Sequence, residues 1–183
     1  MTVYQLLVVC TANLLRSPVA EAAFVAWQRR LKLAELEIAS AGISALDGEA
    51  SPTDVIEAVR PFMLDLRSHR ARTVSRDDIR ASALVLGMTE AHRESLQALV
   101  PSATSRIFAL REFVRLVDET PKLSEFDGDL GAFAVAVHRE RPRRPRPEAA
   151  EDVQDAFGES KRRVQACVST VVELVGQVTA RLC

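Results

Sequence analysis

Residues 10–18, with the sequence CTANLLRSP, combine side chains that could act together on an anion. Cys10 can supply a thiolate nucleophile, and Arg16, with five residues between the two, carries a planar guanidinium that can hold two oxygens of a phosphate. Ser17 can donate a hydrogen bond to a thiolate or cap a helix. A cysteine and an arginine at this spacing also occur by chance, so the pair is informative only together with the elements around it.

The residues on either side of this stretch predict a strand and a helix. Residues 3–10 form an apolar run with β-branched members, typical of a buried strand, and Ser17-Pro18 is typical of a helix start with Ser17 as N-cap. A loop between a strand and a helix can turn its amide groups inward around an anion, and the helix N-terminus adds partial positive charge. A cysteine in such a place exists as a thiolate near neutral pH. The alternative is that Cys10 is a small buried apolar residue.

The rest of the chain alternates strands with helices. Further strands are predicted at 37–41, 84–87 and 105–110, and helices at 51–60, 90–100 and 160–182. The last helix carries a valine-rich apolar stripe, and we interpret Cys167 on that stripe as a packing residue. The alternation predicts an α/β fold, a three-layer sandwich in which a central four-stranded parallel sheet is flanked by helices.

Length, charge and cysteine content narrow the class of protein. A chain of 183 residues suits one domain, and three cysteines are too few for a disulfide framework. A formal net charge of −1 favours neither nucleic acid nor an anionic membrane as a partner. We find no signal peptide and no apolar run long enough to cross a membrane, and therefore expect a cytoplasmic protein. The histidines are scattered, so we expect no metal and no other cofactor.

Residues 138–147 are unusual because five arginines and three prolines fall within ten positions. Proline excludes a regular helix or a buried strand over this segment. We interpret it as a solvated loop, and a basic patch for nucleic acid or an acidic partner is the alternative.

The stretch at 10–18 resembles the signature C-x-G-N-x-C-R-S-P of the low-molecular-weight protein tyrosine phosphatases. Four further segments are similar to that family in order and spacing: the end of the second strand, an H-x-x-R segment, the third strand with the helix after it, and a D-P-F-G loop. They fall at 40–42, at 69–72, at 84–88 with His92 following, and at 155–158. The resemblance implies a single phosphatase domain over residues 1–183, with a loop insertion around 120–150.

The resemblance also implies a mechanism and a set of site residues. Phosphotyrosine in a protein would be hydrolysed through a phosphocysteine on Cys10, with Arg16 stabilising the transferred group and Asp155 as general acid. An N-terminal helix cap is the alternative role of Asp155, and Asp152 is its competitor as the acid. His69 would support the loop, or else bind water at a helix end. The phosphate-binding loop would comprise Thr11, Ala12, Asn13, Leu14, Leu15, Arg16 and Ser17, and the supporting network would comprise Asn13, Ser17, Ser40 and His69.

Four residues depart from the family pattern or qualify it. Ala12 replaces a glycine and would be strained if its φ were positive. Leu15 replaces a second loop cysteine, and Ala156 replaces the proline of the acid loop. Leu14 favours phosphotyrosine, because members that act on phosphoarginine carry a small polar residue at that point.

Two other functions stay open at this point. One is an arsenate reductase that depends on a small external thiol, and the other is a catalytically weak module that binds phosphotyrosine. In the preferred interpretation the partner is a phosphotyrosine-containing protein, and a bacterial tyrosine kinase is one candidate.

Overall fold

The computed structural model describes residues 4–31, 36–145, 147 and 151–182, so residue 3 of the predicted first strand and Cys183 lie outside the described residues. Within them, four parallel strands form one sheet in the order β2-β1-β3-β4. The strands are β1 (Tyr4–Cys10), β2 (Leu36–Gly42), β3 (Ser82–Gly87) and β4 (Ile107–Ala109). The predicted four-stranded parallel sheet is confirmed.

Helices cover both faces of this sheet. They are α1 (Arg16–Leu31), α2 (Thr53–Val59), α3 (Arg76–Ala81), α4 (Glu90–Leu99), α5 (Leu110–Val117), α6 (Leu130–Arg139) and α7 (Lys161–Leu182). Alternate side chains of β1 enter two separate cores, because successive residues of a strand point to opposite faces. Leu6, Val8 and Cys10 face a core built with α1, α2, α5, α6 and α7, whereas Leu7 and Val9 face α3 and α4. The three-layer sandwich is thus confirmed as well.

The parallel register brings the carboxyl ends of the strands to one edge. Cys10 at the end of β1 is paired with Gly42 at the end of β2, and Val9 is paired with Gly87 at the end of β3. Ligands of open α/β sheets bind outside this edge, so the strand ends and the loops after them are where a site is expected.

Several element boundaries differ from the sequence prediction. Helix α1 already begins at Arg16, so Ser17 lies in its first turn rather than at the N-cap. The N-cap of α2 is Pro52, which makes no side-chain cap, and the buried hydroxyl of Ser51 has no partner among the described residues. Strand β4 is shorter than predicted, because Leu110 already begins α5.

The interpretation of 138–147 as a solvated loop was wrong at its centre. Arg141 is only 16% exposed, donates from Nε to Glu112 Oε1 at 2.8 Å and from NH2 to the Ile107 carbonyl at 2.6 Å, and lies 4.4 Å above the Phe108 ring. A buried carboxylate and carbonyl groups satisfy the guanidinium, so it packs against the domain instead of facing water. Residues 120–150, where we expect an inserted loop, contain helix α6, whose Phe133 is fully buried.

Candidate active site

The turn from β1 into α1 holds the Cys10 sulfur at its centre. The side chain of Cys10 is buried, and its Sγ lies 3.0 Å from Ser17 Oγ and 3.3 Å from the Asn13 backbone nitrogen. The Asn13 amide donates to the sulfur, and the Ser17 hydroxyl can donate either to the sulfur or to the Ala41 carbonyl oxygen, which lies 3.3 Å away. Two donors at these distances stabilise negative charge on sulfur, which is what a thiolate nucleophile requires.

Asn13 has the left-handed conformation that gives the loop its shape. Its φ is 56°, whereas Ala12 is not among the residues with positive φ, so the strain considered for Ala12 does not arise. Asparagine tolerates this region better than other residues that carry a side chain, because its short amide can hydrogen-bond locally. The turn therefore depends on Asn13 and accepts alanine in place of the family's glycine.

The Asn13 side chain also orients the hydroxyl beside the sulfur. Its Oδ1 accepts from the backbone N–H of Arg72 at 3.0 Å, which leaves Nδ2 to donate to Ser17 Oγ at 2.9 Å and to Ser40 Oγ at 2.8 Å. Because Ser17 Oγ already accepts from Asn13, its own proton can point at Cys10. His69 Nε2 lies 2.7 Å from the Asn13 carbonyl oxygen. The structure thus brings together the four residues of the predicted supporting network.

Glu21 belongs to this network, and the sequence analysis missed it. Ser40 Oγ donates to Glu21 Oε2 at 2.5 Å, so the chain of hydrogen bonds behind the loop ends on a carboxylate. Glu21 lies on α1, one helical turn after Ser17, and that spacing was the available signal. Gly42 is needed at the same place, since a Cβ there would lie 2.5 Å from the Thr11 carbonyl oxygen.

Arg16 and Asp155 face each other at the mouth of the loop. Asp155 Oδ2 is ion-paired with Arg16 NH2, while Arg16 NH1 donates to the Val153 carbonyl at 3.2 Å. Val153 itself is attached to the end of β3 through its N–H, which donates to the Met88 carbonyl at 2.9 Å. The Arg16 side chain is 4% exposed and that of Asp155 is 45% exposed. A buried guanidinium and an accessible carboxylate therefore meet beside the sulfur.

Asp152, the competing acid, has a different environment. Its Oδ1 accepts from the backbone N–H of Glu90 at 2.8 Å, at the first residue of α4. Asp152 thus caps a helix, whereas Asp155 lines a narrow pocket that also contains the Cys10 sulfur. The pocket is lined by Cys10, Ala12, Leu14, Leu15, Arg16, Asp155 and Phe157. A larger cavity, of about 530 Å³, lies behind the loop between α1 and residues 63–72, but neither Cys10 nor Arg16 lines it.

Two further residues around the site have shifted pKa values. His92 is buried at the start of α4 with Nε2 3.0 Å from Thr11 Oγ1, and burial together with the Arg16 charge lowers its pKa to about 4. Cys167 is buried on α7, with Sγ 3.4 Å from the Gln154 carbonyl, and burial raises its pKa to about 11. Cys167 thus remains a neutral thiol under the acid loop. From the sequence, His92 is placed only in the helix after the third strand, and its contact with the loop was not predicted.

Within the part of the chain that the structure describes, no group of three histidines, cysteines or carboxylates is arranged to hold a metal ion. None of the described helices is long and apolar enough to cross a membrane.

Comparison with known proteins identifies the family. The family model of low molecular weight phosphotyrosine protein phosphatases matches residues 5–125 of the 183-residue chain. The chain therefore belongs to the low-molecular-weight protein tyrosine phosphatase family. The match contains the loop at 10–18 and His69, but it ends before Asp155.

Individual relatives agree with this assignment. Over 116 residues the chain is 32% identical to a protein of Ralstonia solanacearum named a probable low molecular weight protein-tyrosine-phosphatase, EpsP, which covers 63% of this chain and 77% of that protein. It is 29% identical over 115 residues to the protein-arginine-phosphatase of Geobacillus stearothermophilus, covering 63% and 74% of the two chains. The crystal structure of the low molecular weight protein tyrosine phosphatase from T. tengcongensis has the same fold, with a TM-score of 0.75, 24% identity and coverage of 98% and 99%.

Proposed function

We propose that this protein hydrolyses phosphotyrosine in proteins through a phosphocysteine intermediate on Cys10. The observation that carries the proposal is the position of the Cys10 sulfur. It lies between the donors of Ser17 and Asn13, at the base of a pocket whose mouth carries Arg16 and Asp155. We further propose that residues 11–17 bind the phosphate, that Ser40 and His69 support the loop, and that residues 1–183 act as one phosphatase domain.

In the first step the Cys10 thiolate attacks phosphorus in line with the ester oxygen. The S–P bond forms as the O–P bond breaks, and Asp155 gives its proton to the leaving phenolate. Arg16 and the loop amides stabilise the equatorial oxygens, on which negative charge is spread. In the second step Asp155, now a carboxylate, takes a proton from water, the water oxygen attacks phosphorus, and the S–P bond breaks to release inorganic phosphate.

The ion pair between Arg16 and Asp155 must break before the first step of the reaction. A phosphate dianion entering the pocket competes with Asp155 for the guanidinium. The planar guanidinium can hold two phosphate oxygens at once, and the dianion carries more negative charge than a carboxylate. Once the phosphate has replaced Asp155 on the guanidinium, the Asp155 carboxyl is released from the ion pair and can face the oxygen of the leaving group, to which it gives a proton. Substrate binding would therefore prepare the general acid.

The walls of the pocket favour an aromatic leaving group. Leu14 and the half-exposed Phe157 line the opening with apolar surface, and no polar side chain replaces Leu14 there. An aromatic ring buries apolar area against such walls. Phosphoarginine is the second candidate substrate, because an arginine phosphatase is among the relatives. We expect its charged guanidinium to be disfavoured beside Leu14.

Substrate class is tested with two peptides of identical sequence, one carrying phosphotyrosine and the other phosphoarginine. We expect a kcat/KM at least tenfold higher for phosphotyrosine, about the discrimination that an apolar pocket supplies. Leu14→Thr should narrow this ratio, whereas Val25→Thr, at a half-buried position of α1 that does not line this pocket, is the matched control and should leave the ratio unchanged. A ratio that favours phosphoarginine in the wild type would contradict the proposal.

The remaining alternatives are separated by activity measurements on the same preparation. Hydrolysis of para-nitrophenyl phosphate without arsenate reduction in the presence of glutathione is expected. Arsenate reduction with negligible phosphatase activity would favour the reductase, and tight phosphopeptide binding with no turnover would favour the binding module.

A bacterial tyrosine kinase in the cytoplasm is our candidate partner. The Asp155→Ala variant should retain it from lysate, and vanadate, which competes for the phosphate-binding loop, should release it.

A further inference from the structure

His92 lies directly against the loop, although it belongs to a different element. It occupies the first turn of α4, where its backbone N–H donates to the Thr89 hydroxyl at 3.1 Å, and it is 7% exposed. Gly87 at the end of β3 permits this position, because a Cβ on Gly87 would lie 2.9 Å from His92 Cβ. Nε2 of the imidazole is 3.0 Å from Thr11 Oγ1, and Nδ1 is buried without a hydrogen-bond partner in the described structure.

The Thr11 hydroxyl joins this imidazole to the catalytic arginine. Arg16 NH2 lies 3.2 Å from Thr11 Oγ1, and a guanidinium can only donate. The hydroxyl therefore accepts from Arg16, and in its contact with His92 Nε2 it either donates or accepts, according to which nitrogen of the imidazole carries the proton. Burial and the Arg16 charge lower the pKa of His92 to about 4, so the imidazole is neutral at pH 7 and only one of its nitrogens is protonated. The result is a hydrogen-bonded chain from Arg16 through Thr11 to His92.

This chain matters because Arg16 changes partners during the proposed reaction. In this structure NH2 contacts both Asp155 and Thr11, and NH1 contacts the Val153 carbonyl. The contact with Asp155 must break before that residue can act as an acid. The contacts with Thr11 and Val153 are then the two of these three that can still fix the plane of the guanidinium.

We propose that His92 is a positioning residue for phosphoryl transfer, which through the Thr11 hydroxyl holds the guanidinium of Arg16 in the orientation that grips the equatorial phosphate oxygens. His92 does not touch the substrate, so its effect passes through Arg16. This proposal rests on the proposed function and adds to it the residue that keeps the Arg16 guanidinium in place after its ion pair with Asp155 has broken.

Loss of the chain should affect the transition state more than the bound substrate. In the transition state, negative charge is spread over the equatorial oxygens, and the Arg16 guanidinium stabilises it there. A small misplacement of this guanidinium therefore lowers the rate more than the affinity for substrate. One neutral hydrogen bond is worth roughly a five- to tenfold change. We therefore expect kcat to fall roughly five- to tenfold while KM changes less than twofold, and binding of vanadate to weaken more than binding of inorganic phosphate.

The test is a double-mutant cycle on para-nitrophenyl phosphate. Thr11→Val and His92→Leu each remove one end of the contact, and the double variant should be no slower than the slower single variant, because both changes interrupt the same chain. Thr11→Ser and His92→Gln keep a hydroxyl and an acceptor in place and should recover most of the rate. Ser95→Ala, on the exposed side of α4, is the matched control.

Three results would overturn the proposal: single losses that multiply in the double variant, Thr11→Ser as slow as Thr11→Val, or lower melting temperatures with kcat unchanged. If His92→Leu does not fold, His92→Asn, whose shorter side chain does not reach the Thr11 hydroxyl, takes its place in the cycle. If the wild type hydrolyses no phosphomonoester, the proposed function fails, yet vanadate and phosphate affinities of the same variants still report whether Thr11 and His92 hold Arg16.

Discussion

The buried imidazole of His92 should make folding stability depend on pH in a predictable direction. Burial and the neighbouring Arg16 charge lower its pKa from 6.5 to about 4, whereas in the unfolded chain the pKa keeps its ordinary value. Between these two values the unfolded state binds a proton that the folded state does not. Stability contributed by the neutral imidazole is therefore fully present above about pH 6.5, is lost as the pH falls towards 4, and changes no further below that.

The size of the effect follows from the same shift. Each unit of pKa difference corresponds to about 1.4 kcal/mol, so lowering the pH from 7 to 4 should cost about 3 kcal/mol of unfolding free energy through His92 alone. His92→Gln has no group that titrates in this range. The difference in unfolding free energy between His92→Gln and the wild type should therefore change by about 3 kcal/mol in favour of the variant as the pH falls.

Urea unfolding followed by the fluorescence of Trp27 measures this difference. Both proteins are unfolded at several pH values between 4 and 7.5, so that carboxylates common to both cancel in the comparison. A difference that stays constant with pH within about 0.5 kcal/mol, which is the usual effect of a neutral surface change, would refute the reasoning. So would a wild type that gains stability relative to His92→Gln on acidification.

The remaining predictions concern the reaction and its inactivation. Cys10→Ser should abolish nearly all turnover because a hydroxyl is not ionised at neutral pH, and Arg16→Lys should be severely impaired because an ammonium cannot replace the bidentate fork; both are measured with para-nitrophenyl phosphate. Asp155→Ala should lower kcat for phosphotyrosyl peptide roughly 10²- to 10⁴-fold, and less for a substrate whose leaving group needs no proton. Peroxide inactivation should be largely irreversible to dithiothreitol, since Leu15 offers no thiol and burial raises the pKa of Cys167 to about 11, and Leu15→Cys should restore recovery, as measured by regained activity.

Three outcomes would contradict these predictions. Appreciable turnover by Cys10→Ser would exclude the covalent mechanism. A large loss of kcat in Asp152→Ala with a small loss in Asp155→Ala would show that Asp155 is not the general acid. We expect Asp152 instead to cap α4, so that its removal changes stability by about 1 kcal/mol. A disulfide between Cys10 and Cys167 in the mass spectrum of the oxidised protein would show that the buried thiol reacts after all.

The parts of the site that are contiguous in sequence could be predicted from it. The run 10–18 contains a strand end, a loop and a helix start, and local rules are sufficient to place Cys10 and Arg16 within it. The conformation of the loop was harder, since the family's glycine suggested positive φ at position 12 and the structure has it at Asn13. Positive φ depends on which residue has hydrogen-bonding partners in the fold.

Contacts between distant segments could not be predicted. Thr11 meets His92 across 81 positions, because the ends of β1 and β3 are adjacent in the sheet, and no periodicity in either segment indicates it. Arg141 gives the opposite lesson. A charge run normally predicts solvated side chains. Here the buried Glu112, 29 positions earlier, and the ring of Phe108, 33 positions earlier, are better partners for the guanidinium than water.

The central claim is that phosphate is transferred to Cys10, and trapping the phosphoenzyme tests it most directly. Asp155→Ala is mixed with para-nitrophenyl phosphate, whose leaving group needs no proton, so the first step proceeds while the second lacks its base. We expect a burst of para-nitrophenolate and, after rapid acid quench, one phosphate per chain on the peptide that contains Cys10, with neither in Cys10→Ala. A burst without phosphate on Cys10, or phosphate on another residue, would contradict the account.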